Sequence, residues 1–265
     1  MSRPIFTVVS PAMNSREFLP RNIASVRAQG FSEKELEHWV IDGGSQDGTV
    51  EYLESQRGVR FVSERDRGLS HAVNKGIHRA RGEWVLWLNA DDEFAPGALR
   101  RFLEVVDPDD RIVCGLQEVR AYDGQLEVVS KPWPYTSEAL LNECVNIIQA
   151  STFVHREVYE RVGGMDGMFR YAMDYEWMVR ALKEFPCRRI DELLSIYHKR
   201  QGSITDIGIA GQSWEFLRVR RSHGCNPISV LEAHLWFYLF VDPLRQVPWL
   251  RSGIRGVKAL LGWRK

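Results

Sequence analysis

Two adjacent acidic residues, Asp91 and Asp92, follow the apolar run Trp84-Val85-Leu86-Trp87-Leu88 and the polar Asn89. Carboxylates that emerge side by side from an apolar segment repel each other unless a cation lies between them or one carries a proton. Oxygen donors of this kind suit Mg²⁺ or Mn²⁺, which take one or two protein carboxylates and leave room for phosphate oxygens. The chemistry favoured is the handling of a diphosphate with a divalent metal. Asp is also a common helix cap, so spacing alone leaves a structural role open. Two more polar clusters sit in comparable places. Asp42 closes an apolar run before Gly43-Gly44-Ser45, a turn that lets a ligand approach the backbone. Arg65-Asp66-Arg67-Gly68 closes another. The chain has no GxGxxG and no GxxxxGK[ST], so neither a dinucleotide fingerprint nor a P-loop is supported.

The elements that must position these groups follow from periodicity. Apolar runs rich in β-branched or aromatic residues at 5–10, 38–42, 59–64 and 84–89 predict four strands. Between them, Leu19, Ile23 and Val26, and then Val73, Ile77 and Ala80, repeat with helical spacing. Asn14 with Glu17 reads as a capping box, and Pro96 as the first residue of a helix whose apolar stripe is Leu99, Phe102, Leu103 and Val106. Strand–helix alternation of this kind predicts an α/β fold with a mainly parallel central sheet and flanking helices. In such sheets ligands bind beyond the carboxyl ends of the strands, where all three polar clusters fall.

After residue 110 the rhythm breaks. Two short strands around Asp123-Gly124, a helix near 137–143, a strand at 150–154 and a short helix ended by Gly163-Gly164 are expected. A stronger helix spans 174–185, with Trp177, Ala181 and Phe185 on one face. No composition break marks a linker, so one domain is read to residue 205, in halves 1–110 and 111–205, with a helical, basic extension at 206–265.

The chain has 265 residues, with 35 basic and 35 acidic side chains and 44% hydrophobic residues. That balance excludes an acidic disordered tail, and nucleic acid is not an expected partner. The four cysteines form no CxxC pair and fit a reducing compartment. No signal peptide is read, and a cytoplasmic location is expected. Residues 229–241 are apolar for about 13 residues, short of the roughly 20 that a bilayer span needs. Beyond Asp242 the charges are all basic (Arg245, Arg251, Arg255, Lys258, Arg264, Lys265), interspersed with Trp249 and Trp263. This tail suits peripheral attachment to the anionic inner face of a membrane. A buried helix followed by a solvated basic end fits equally well.

Several stretches together resemble one family. VIDGGSQDGT (40–49), ERDRGLSHAVNKGI (64–77) and GEWVLWLNADDEFAPGAL (82–99) resemble the nucleotide-sugar half of family 2 glycosyltransferases with the GT-A fold. QASTFVHREVYERVGGMDGMFRYAMDYEWMVRAL (149–182) and YHKRQGSIT (197–205) resemble the acceptor half. The pieces lie in the family's order within 4–205, closest to the subgroup that builds bacterial surface polysaccharides. The resemblance implies that Pro11 and Asn14 border the base of the donor and that Asp42 bonds the nucleobase or ribose. It also implies that Asp66, Arg67, Gly68 and Asn74 close over the nucleotide, and that Asn89-Ala90-Asp91-Asp92 is the DxD-type motif. Many members have Asp where this chain has Asn89, so Asp91 and Asp92 are expected to share the ribose and metal contacts. Lys199 and Arg200 would meet the diphosphate, and His198 is a further candidate metal ligand. Gln149 and Ser151 are candidates to face the acceptor.

Asp174 matches the family's catalytic base, with Glu176 as the fallback. From spacing alone Asp174 is equally an ordinary helix cap. A helix N-terminus would lower its pKa, so a base there needs offsetting burial or a negative neighbour. The expected reaction is inverting transfer from a UDP- or GDP-linked sugar to a hydroxyl of a glycan or lipid-linked acceptor, with Mn²⁺ or Mg²⁺ as cofactor. The rival readings are a metal-dependent nucleotidyltransferase or phosphohydrolase, and a non-catalytic nucleotide-sugar binder on the same fold.

Overall fold

A computed structural model describes residues 3–143, 147–200, 209–227 and 230–236 of the chain. The basic tail and Cys144 lie outside the described residues. Four parallel strands make the first half of the sheet: β1 (Phe6–Ala12), β2 (Leu36–Asp42), β3 (Val59–Ser63) and β4 (Trp84–Trp87), in the order β3-β2-β1-β4. Helices α1 (Leu19–Arg27), α2 (Thr49–Glu54) and α3 (Leu69–Arg79) connect them. β1 and β4 are buried along their whole length because both faces of the sheet are covered there, and β2 is buried at all but two positions. Phe6 and Val8 of β1, with Trp84 and Leu86 of β4, pack on one face, which also buries Phe102. Val9, Val85 and Trp87 point to the other, against Val73 of α3.

Beyond β4 the sheet becomes mixed. β5 (Glu93–Phe94), α4 (Ala98–Val105), the hairpin β6 (Ile112–Arg120) and β7 (Leu126–Ser130), and α5 (Ser137–Asn142) come next. A 3-10 turn at Gln149–Ser151 then leads into β8 (Thr152–His155), α6 (Arg156–Val162), α7 (Met173–Ala181) and β9 (Cys187–His198). β8 runs antiparallel between β4 and β6, while β9 is parallel to β6 and antiparallel to β5. Two further helices, α8 (Ile209–Ser222) and α9 (Val230–Trp236), complete the described chain. Their packing is continuous with the core: Val219 shares a buried cluster with α7. The buried Arg220 donates to Leu141 O at 2.6 Å and pairs with Glu232 at 2.9 Å.

Three local expectations are corrected. α1 begins at Leu19 after Phe18 and has no side-chain cap. Asn14, expected to cap it, instead adopts φ 49° and accepts a hydrogen bond from Gln46 N. A tie to the neighbouring loop thus displaces the local capping box. α4 starts at Ala98, because Gly97 takes a left-handed φ of 71° and delays the helix past Pro96. Leu103 is 37% exposed and falls off the buried stripe of Leu99 and Phe102. Among the described residues no helix is long and apolar enough to cross a membrane.

Candidate active site

The carboxyl ends of the parallel strands carry the three polar clusters. Register pairs Ala12 with Asp42 and Asp42 with Ser63, so the loops after β1, β2 and β3 leave the sheet side by side. Asp42 is fully buried and organises its own turn. Its Oδ2 accepts from Gly44 N at 3.0 Å, Ser45 N at 3.1 Å and Ser63 Oγ at 2.6 Å, while Ser45 Oγ donates to its Oδ1. Asn14 N donates in turn to Ser45 Oγ at 2.7 Å, which welds the first two loops together. Pro11 is buried within β1, paired with Ile41.

Asp66 Oδ1 lies 2.8 Å from both His71 Nδ1 and Lys75 Nζ. Its Oδ2 is buried with no hydrogen-bond partner, on the side of Gly43. Such an orphaned acceptor at the loop junction is suited to a ligand's N–H or O–H. Arg67 and Gly68 are exposed where α3 begins. Asn74 faces elsewhere: its amide donates to Met165 O and accepts from Met165 N, both at 2.8 Å. It clamps α3 to the loop after α6.

The segment after β4 is held from three sides. Asp92 N closes a turn onto Asn89 O, and Asn22 of α1 donates to the carbonyls of Asn89 at 2.9 Å and Asp92 at 3.0 Å. Pairing of β5 with β9 brings His198 alongside, where its N–H meets Asp92 Oδ1 at 3.3 Å. Asp92 is 1% exposed, and burial together with the charge of Asp91 raises its pKa well above the usual carboxylate range. Asp91 is bound by Arg200 Nε, whose guanidinium also lies over the Phe18 ring. His198 Nε2 sits 2.6 Å from Glu93 Oε1, and Arg21 holds the same carboxylate at 3.0 Å. Burial lowers the pKa of His198, with Glu93 pulling against it.

A metal role for His198 through Nε2 would require its Glu93 pair to open. Among the described residues no three His, Cys, Asp or Glu side chains are placed to hold an ion. Asp91 and Asp92 nevertheless supply the hard oxygens that Mg²⁺ or Mn²⁺ accept when diphosphate oxygens complete the shell. Lys199 is paired with Glu127 of β7 at 2.5 Å.

Asp174, in the first turn of α7, lines a cavity with Trp87, Gln149, Tyr159, Met165 and Trp177. Burial raises its pKa, opposed chiefly by the Tyr175 N–H at 2.8 Å. Burial therefore outweighs the helix terminus, the condition a general base at this position needs. Asn89 and Gln149 join this cavity to the acidic turn. Trp87 Nε1 donates to Asn89 Oδ1 at 2.8 Å, and Gln149 donates to Trp87 O at 2.6 Å. Two candidates are corrected. Glu176 is buried in a bidentate pair with Arg180 at 2.6 and 2.8 Å, which removes it as a fallback base. Ser151 is fully buried, bonded to Leu116 O and Ser195 Oγ, and faces no acceptor.

Asp42 and Asp91 thus follow the carboxyl ends of β2 and β4, and Asp174 shares a cavity with Trp87, the last residue of β4. The residues that sequence reasoning missed are those that hold them: Asn22, Arg21, Glu93 and Glu215 of α8. Asn22 alone left a signal, a polar residue within a turn of the apolar stripe of α1.

Residues 7–163 match the family Glycosyl transferase family 2. An uncharacterised glycosyltransferase of Mycobacterium tuberculosis is 30% identical over 194 residues, spanning 68% of this chain and 70% of that protein. Staphylococcus aureus TarS 1–349, solved in complex with UDP-GlcNAc, superposes with a TM-score of 0.67 at 17% identity, covering 97% of this chain and 78% of that one. The mannosyltransferase PcManGT from Pyrobaculum calidifontis, solved in complex with GDP-Man and Mn²⁺, gives 0.66 at 19% identity, covering 98% and 76%. At these identities the structural likeness speaks for the fold, which is GT-A. The family match takes in Asp42, Asp66, the Asn89–Asp92 turn and Gln149, and it ends before Asp174. With its sheet, its acidic turn and more than half its length in agreement, the chain belongs to glycosyl transferase family 2, a family of glycosyltransferases.

Proposed function

We propose that this glycosyltransferase moves a sugar from a UDP- or GDP-linked donor to an acceptor hydroxyl in one in-line displacement with inversion. Asp174 accepts the hydroxyl proton as the acceptor oxygen bonds to the anomeric carbon. The bond from that carbon to the diphosphate breaks, and the nucleoside diphosphate leaves. The observation that carries this reading is a half-buried carboxylate, with no ion pair among the described residues, in a cavity whose Trp87 and Gln149 are hydrogen-bonded to Asn89 of the acidic turn. Asp42, Asn14 and Pro11 border the nucleoside, and the free Oδ2 of Asp66 is the acceptor offered to it. Asp91 and Asp92 would hold a divalent cation, which when bound neutralises charge on the departing diphosphate. Arg200 and Lys199 carry charge of the sign needed for the same oxygens once released from Asp91 and Glu127. Support for a nucleotide-sugar donor and a metal comes from the UDP-GlcNAc, GDP-Man and Mn²⁺ in the two related structures.

A glycan or lipid-linked acceptor in polysaccharide assembly is the proposed destination, with the basic tail attaching the enzyme to the inner membrane face. Asp174→Asn is expected to abolish nucleoside diphosphate release from the donor sugar while UDP or GDP binding persists; transfer at the wild-type rate would remove Asp174 from the mechanism. Asp91→Ala with Asp92→Ala is expected to lose the Mn²⁺-dependent part of nucleotide binding. Identical calorimetric titrations of the double variant and the wild type would refute the metal assignment. A thermal-shift panel of nucleoside diphosphates and their sugars, with and without Mn²⁺, identifies the donor base, because ligands that bind only the folded state raise its stability.

A further inference from the structure

Asp174 follows a backbone segment, Arg170–Ala172, whose N–H groups find their acceptor on a distant helix. α7 follows Ala172 with no side-chain cap of its own. The first N–H groups of a helix lack intrahelical partners and must be satisfied from elsewhere. For Ala172, which precedes the first turn, and for the two residues ahead of it, the acceptor comes from α8. Glu215 Oε2 accepts from Tyr171 N at 2.7 Å and Ala172 N at 2.9 Å, and both its carboxylate oxygens lie within hydrogen-bond reach of Arg170 N, at 3.0 and 3.1 Å. One carboxylate therefore collects three consecutive N–H groups immediately before the residues that open α7.

The surrounding contacts keep that carboxylate in place. A Cβ on Gly211 would come within 2.7 Å of the Tyr171 ring, so α8 approaches the segment as closely as a side-chain-free position allows. The Tyr175 and Phe216 rings meet at 4.5 Å, and the Arg218 guanidinium lies 5.4 Å from the Phe169 ring centre. Both ends of the 169–175 segment are thus braced by α8, which lies outside the residues that match the family. Charge-assisted hydrogen bonds from backbone N–H to a carboxylate are about twice as strong as neutral ones, which makes this a stiff cap.

We infer that Glu215 is a positioning residue for sugar transfer, fixing the backbone that aims the Asp174 carboxylate into the cavity. This inference rests on the assignment of Asp174 as the base. A misplacement of a reacting group by about 1 Å can cost about 100-fold in rate. Removing Glu215 should therefore act on turnover, while the donor site at the ends of β1, β2 and β4 is left as it is.

The test uses the full chain and the variants E215A, E215D, E215Q and D174N. Release of UDP from UDP-GlcNAc and of GDP from GDP-mannose is followed with Mn²⁺ present. Rates are expressed per folded site, counted by calorimetric titration with UDP or GDP. E215A and E215D, the latter keeping the charge but not the reach, are expected to lower kcat about 100-fold with donor KM and nucleotide stoichiometry unchanged. E215Q is expected to recover most of the loss, because its amide oxygen can still accept from Tyr171 and Ala172. Wild-type kcat in E215D overturns the proposal, as does a loss of nucleotide-binding sites that accounts for the whole loss of rate. Should E215A fail to fold, E215D and E215Q decide. If D174N is inactive while E215D turns over normally, the positioning role alone falls. If D174N turns over normally, the base assignment falls and takes the positioning role with it.

Discussion

The carboxylate of Asp174 is in conflict with its surroundings, and that conflict is what suits it to accept a proton. Its folded pKa is raised by burial, so near neutral pH the ionised form is held at a cost to stability. As pH rises from the usual carboxylate value of 3.8 through the raised folded value, the native state keeps its proton longer than the unfolded chain, and stability falls over that window. Asp174→Asn removes this liability. The variant is expected to melt at or above the wild-type temperature at pH 7 while losing turnover, a separation of stability from activity typical of catalytic groups. A lowered melting temperature would show that the carboxylate is needed structurally. The kcat of the wild type should fall on its acid limb with an apparent pKa above 3.8, and this limb should be absent from any residual activity of the variant. Asp42, Asp91 and Asp92 were legible in the sequence because each stands where an apolar run ends, whereas Asp174, at the start of a helix, was singled out only by the family resemblance. Their partners were not legible. Whether Asn74 faces a nucleotide or Met165, and whether His198 faces a metal or Glu93, depends on contacts between segments far apart in the chain.

Among the elements, the parallel half of the sheet was readable because β1, β4 and the second half of β2 are apolar runs separated by helically spaced apolar residues. β9 was not. Its sequence, CRRIDELLSIYH, mixes charged and apolar residues without a clean period, and its burial comes from pairing with β6 on one side and β5 on the other. α3 shows how closely helix and sheet must approach to set the edge that carries the site. Gly76 packs on Val9, where a Cβ would fall inside the van der Waals contact of the valine side chain. Gly76→Ala tests which of two effects wins. Helix propensity favours alanine by about 1 kcal/mol, whereas overpacking a well-filled core costs about 1–3 kcal/mol. The contact is with a β-branched side chain on a central strand, which has little room to yield, so net destabilisation is expected in chemical denaturation. Adding Val9→Ala should make the Gly76→Ala step stabilising, with the interaction read from the double-mutant cycle.

At the scale of the whole molecule, the sheet is covered on both faces, so an ionisable group on its strands must either be paired, as Glu37 is with Arg60 and Arg81, or stay neutral. His38 lies on β2 among the central strands, 3% exposed, with its ring nitrogen 3.0 Å from Ser10 Oγ. Burial, with a smaller contribution from the Arg27 charge, lowers its pKa from 6.5 to about 3. Between those two values the unfolded chain binds a proton that the native state refuses. The stability His38 contributes is therefore complete above pH 6.5 and is lost as pH falls toward about 3. The slope is at most about 1.4 kcal/mol per pH unit for one proton. His155, His198 and His223, also shifted down by burial, act in the same direction. The raised pKa values of Asp92 and Asp174 act the opposite way and weaken the native state as pH climbs. The His38 contribution should accordingly fall away on acidification below about pH 6.5. Urea unfolding at a series of pH values between 4 and 8 reads this directly. His38→Gln, an uncharged side chain still able to bond Ser10, is expected to be less stable than the wild type at pH 8 and to show a shallower acid slope by about one proton. Parallel pH profiles for the two proteins would mean that His38 is protonated in the native state, and that the strand beneath the site tolerates a charge its burial ought to forbid.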